Sequence, residues 1–141
     1  MSKFMNDRQQ ALFAQIAEEL IPTVNDMPGA SQAHVPDIWA DEALNLRMDL
    51  REDFFRGLRV FDATRGGLKN RLAQLQEQDA EAFNAVGVIT AGAYFLNPDV
   101  RHHIGYPGQQ TEGSYVTAET IEYVQKALEP VLKRGSIYRQ A

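Results

Sequence analysis

The chain has 141 residues, no cysteine, a formal charge of −5 and a hydrophobic fraction of 44%. That length suits one domain burying about two-thirds of its unfolded surface, so a core can form without covalent staples. Without cysteine there are no disulfides, thiolate metal sites or thiol nucleophiles, and an acidic balance with no basic face speaks against nucleic acid as a partner.

The N-terminus, MSKFMNDRQQ, has neither an apolar export core nor a twin arginine. The expectation is a cytoplasmic chain unless it travels with a partner. Asn6 or Asp7 can cap a first helix. In it Leu12, Ile16 and Leu20 fall at i, i+4 and i+8, beside Phe13 and Ala17, and Pro22 ends it. Ile21 to Pro36 holds three prolines and a Pro28-Gly29 pair. It reads as a connection, either packed down by its own Val24 and Met27 or used for contact.

A second helix is expected from about Asp37 to Leu46, with Ile38, Trp39 and Ala43 inward. A third runs from about Met48 to Ala63, with Leu50, Phe54, Leu58 and Phe61 at helical spacing and Phe55 widening the stripe. Gly66 and Gly67 break the chain. Leu68 to Gln76 reads as a short helix with Leu68, Leu72 and Leu75 inward. Asp79 can cap the next helix, and Glu81 suits its first turn.

Ala82 to Pro98, AFNAVGVITAGAYFLNP, is the longest run without a charged side chain. It reads as the central helix of a bundle, buried on every side. Ala85, Gly87, Ala91 and Gly92 are expected to let neighbours approach. The competing membrane span is disfavoured by Asn84, Thr90, Asn97 and the two glycines. A turn with two histidines follows, then a long ordered loop. A last helix begins near Thr117 with Ile121, Val124, Leu128 and Val131 as its buried face. Pro130 should kink it or end it one residue earlier, Gly135 marks its stop, and 136–141 reads as a tail. No stretch alternates with period two. The expected fold is therefore all-α: one domain of five or six bundled helices.

Few residues suit chemistry. His102 and His103 are adjacent and point apart on any regular element. Asp99 and His103 stand at i, i+4 and could ligate a metal only with a third group such as His34. The carboxylate pairs Glu18-Glu19, Asp41-Glu42 and Glu52-Asp53 read as solvated faces. No serine has a nucleophile-elbow context, and the glycines at 105, 108 and 113 match no phosphate loop. What remains is IGYPGQQTEGSY, residues 104–115. Tyr106 and Tyr115 suit a protein interface there, and Trp39 could anchor one.

The order of these features resembles a known family. A first helix ends in Leu20-Ile21-Pro22, then come Pro28-Gly29-Ala30, Val35, a helix carrying FFRGL (Phe54 to Leu58) and FLNPDVRHHIGYPGQ. Over about Leu12 to Gly113 the chain is similar to the gluconate 2-dehydrogenase subunit 3 family, and Ile104 to Gly108 is the most specific part. The resemblance implies a small accessory subunit without a cofactor of its own. Its partner would be a large FAD-dependent dehydrogenase of the glucose-methanol-choline type, often with a cytochrome c subunit as electron acceptor. The partner interface is then expected at His102, His103, Ile104, Tyr106, Pro107, Gln109 and Tyr115, with Trp39. Members of the family commonly carry a twin-arginine signal, which this N-terminus lacks. The complex would be cytoplasmic, or periplasmic if the partner bears the signal or a signal has been removed. The rival expectations are a helical metalloprotein built on Asp99, His103 and His34, and a helical regulator of another protein.

Overall fold

A computed structural model of the chain describes residues 2–108 and 118–135. The chain divides into two compact units, Met1–Pro107 and Gly108–Ala141. Among the described residues there are seven α-helices and no strand, only an isolated bridge between Val24 and Met27. The fold is all-α, as the periodicity implies.

In the first unit α1 spans Asp7–Leu20, α2 Ala40–Leu46, α3 Arg51–Ala63, α4 Leu68–Gln78, α5 Ala80–Leu96 and α6 Pro98–His103. A single π-turn, Val35–Trp39, leads into α2, and a 3₁₀ turn, Met48–Leu50, leads into α3. Asn6 caps α1 through a reciprocal pair: its side chain accepts from the Gln9 amide, and the Gln9 side chain accepts from the Asn6 amide. The inward stripes are as spaced. Phe13 and Ile16 of α1, Phe54, Leu58 and Phe61 of α3, and Leu75 of α4 are buried. The Phe13 and Phe54 rings meet edge to face at 5.1 Å, a contact worth about 0.5–1.5 kcal/mol beyond its area.

Helix α5 is the axis. It touches α1, α2, α3, α4, α6 and the π-turn, and packs most extensively on α3. It is not buried all round. Ala82, Ala85, Val86, Ile89 and Ala93 are buried, but Asn84, Ala91, Gly92 and Phe95 are exposed. A Cβ added at Gly87 or Gly92 would meet nothing within 4 Å. The close approach is set by α3 instead. A Cβ at Gly57 would lie 2.8 Å from Val86 Cγ2 and 3.1 Å from the Ala82 carbonyl oxygen.

Both ends of α5 are pinned. Asp79 accepts from the Ala82 amide at 2.9 Å and takes the Arg56 guanidinium on both oxygens, at 2.6 and 3.2 Å. The Arg56 bond, then the Ala82 amide, hold the Asp79 carboxyl below its ordinary range, while Asp79 and Asp53 push the guanidinium up. At the far end the Tyr94 hydroxyl donates to the Pro28 carbonyl at 2.7 Å. Burial raises the pKa of that phenol.

The 21–36 connection is packed down, by Met27 as expected, which lies against the core, but not by Val24. Val24 is exposed, Met27 is half-buried, and Ala30, Ala33, Val35 and Pro36 are buried. Ile38 is 52% exposed rather than inward. The π-turn adds a residue to its loop and so rotates the face that follows.

In the second unit α7 spans Ala118–Arg134, so the helix does not end before Pro130. Taken by itself it buries none of its residues, including Ile121, Val124, Leu128 and Val131. Gly135 ends it with φ +68, in the left-handed region. The expected tail, 136–141, lies outside the described residues.

Two predictions follow from the axis. Gly57→Ala should cost about 1–3 kcal/mol through overpacking, whereas Gly87→Ala, with room for its methyl, should gain up to about 1 kcal/mol; urea unfolding of both variants decides. Asp79 stabilises the fold fully above its unfolded pKa of about 3.9 and loses that contribution as pH falls through its lower folded value. The stability gap between the natural chain and Asp79→Asn should therefore be widest at neutral pH and close below about pH 4. A gap independent of pH would remove Asp79 from this role.

Candidate protein-interaction site

Helix α6 and the turn after it are built by two local rules. Asn97 caps α6 by accepting from the Asp99 amide at 2.8 Å, and Pro98 takes the first helical position, where a missing N–H costs nothing. Asn97 is itself buried and donates to the Ala33 carbonyl at 2.9 Å, which ties the corner to the connection. The other end is a Schellman stop. Gly105, with φ +68, donates to the His102 carbonyl at 3.0 Å, and Tyr106 donates to the Arg101 carbonyl at 2.8 Å. The Ile-Gly-Tyr-Pro string thus has a backbone job: a left-handed glycine, a return bond, then a proline that cannot continue the helix.

That geometry brings His102, His103, Ile104, Tyr106 and Pro107 together on one exposed turn. Ile104 is 47% and Tyr106 50% exposed, and Phe95 at the end of α5 is 50% exposed. Gln109 and Tyr115 lie outside the described residues. Trp39 is half-buried and stands in a neighbouring open groove of about 470 Å³, between the start of α2 and the corner of α5 and α6. Ile38, Leu96, Pro98 and Arg101 line the same groove, with Asp41 and Glu42 on the α2 wall. The sequence singled out Trp39 but not Arg101. The signal was present: positions 97, 98, 104 and 105, the helical neighbours of Arg101, hold no acid.

The metal triad is not assembled. Among the described residues no group of three or more histidine, aspartate or glutamate side chains could hold an ion. The His34 ring instead contacts Asp37 at 3.1 Å, within its own turn. Among the described residues no helix is long and apolar enough to cross a membrane.

No protein family, curated protein or solved structure matches this chain. What the site offers is half-exposed apolar and aromatic side chains on an ordered turn.

The corner depends on Asn97. Asn97→Ala removes the α6 cap and strands the buried Ala33 carbonyl, so it should cost about 1–3 kcal/mol. Urea unfolding followed at Trp39, the one tryptophan, measures it.

Proposed function

We propose that this chain is a non-catalytic small subunit that binds and stabilises a FAD-dependent dehydrogenase of the glucose-methanol-choline type, acting on a sugar or another alcohol. The observation that carries this reading is the exposed turn with Ile104 and Tyr106 each about half exposed, on the segment where the resemblance to the gluconate 2-dehydrogenase subunit 3 family is most specific; Phe95 at the end of α5 is about half exposed as well. Large apolar side chains held at half exposure on an ordered turn are suited to a partner's surface.

The residues that carry the resemblance also act together in the fold, which supports reading their order as meaningful. Ile21 accepts from the Ala30 amide at 2.9 Å, Pro28 accepts from Tyr94, Gly29 has no room for a Cβ, and Val35 is buried. FFRGL contributes Phe54 and Leu58 to the core and Gly57 to the close approach of α3 to α5. In this reading FAD belongs to the large subunit, and a cytochrome c subunit takes the electrons where one is present. The compartment follows the partner: cytoplasmic, or periplasmic where the partner carries the export signal.

The test is expression from the native operon with a C-terminal tag, affinity capture and an absorbance spectrum. A large co-eluting chain with flavin bands is expected; a colourless single chain at high yield overturns the reading. Within the complex, Tyr106→Ala should weaken association by about 2 kcal/mol if the ring is an anchor, and unchanged affinity with an unchanged fold would take Tyr106 out of the interface.

A further inference from the structure

We draw no further inference here: the strongest candidate, the apolar stripe of Ile121, Val124, Leu128 and Val131 along α7, is flanked by the uncharged Gln125, Ala127 and Leu132, and nothing in the structure shows what covers it.

Discussion

The constraint on which the helix packing of the first unit depends is the approach of α3 to α5 at Gly57. One hydrogen in place of a methyl lets the α3 backbone lie against Val86 and the Ala82 carbonyl. Because α5 also touches every other helix of that unit, its position relative to α3 fixes where the rest can dock. The ends are then held by polar groups of different kinds. Asp79 joins the start of α5 to α3 through Arg56. Tyr94 and Asn97 join its end to the 21–36 connection, through the carbonyls of Pro28 and Ala33. A connection with three prolines is thereby ordered without regular structure. Buried side chains satisfy its carbonyls from across the fold, as buried backbone requires.

The sequence made the local decisions legible. Asn6, Asp79 and Gly135 sit where capping chemistry puts them, and the stripes of α1, α3 and α4 follow the 3.6-residue period. Two kinds of fact were not legible. The first is which side of an uncharged helix faces out. Asn84, Ala91 and Gly92 are tolerated on a surface as well as in a core, so a run without charges gives no phase, and the glycine that mattered was in the neighbouring helix. The second is a change of phase. A single π-turn over Val35–Trp39 breaks the 3.6-residue period from which Ile38 reads as inward, and Ile38 is exposed. Arg101 could have been found earlier, from the absence of any acid at its helical neighbours.

The most distinctive string in the chain also proves the most local. In Ile104 to Gly108, Gly105 is required by the left-handed turn, the Tyr106 amide by the return bond to Arg101, and Pro107 by the helix stop. Helix termination thus accounts for much of the pattern that gives the resemblance its specificity. It does not account for the side chains of Ile104 and Tyr106. A Schellman stop needs their backbones and leaves the side chains free to be anything, so an isoleucine and a tyrosine at half exposure are where a reason beyond folding has to be sought.

In the proposed reading that reason is a partner's surface. The turn offers apolar area with few polar demands of its own, on a backbone already held by the Tyr106–Arg101 bond and by the tie from Asn97 to Ala33. A turn that is ordered before it is covered loses little conformational freedom when it is covered, so more of the burial of Ile104 and Tyr106 is left as affinity. The same bonds that end α6 would then serve the partner, and the folding rule and the binding role would fall on different atoms of the same residues: the amide of Tyr106 for the one, its ring for the other.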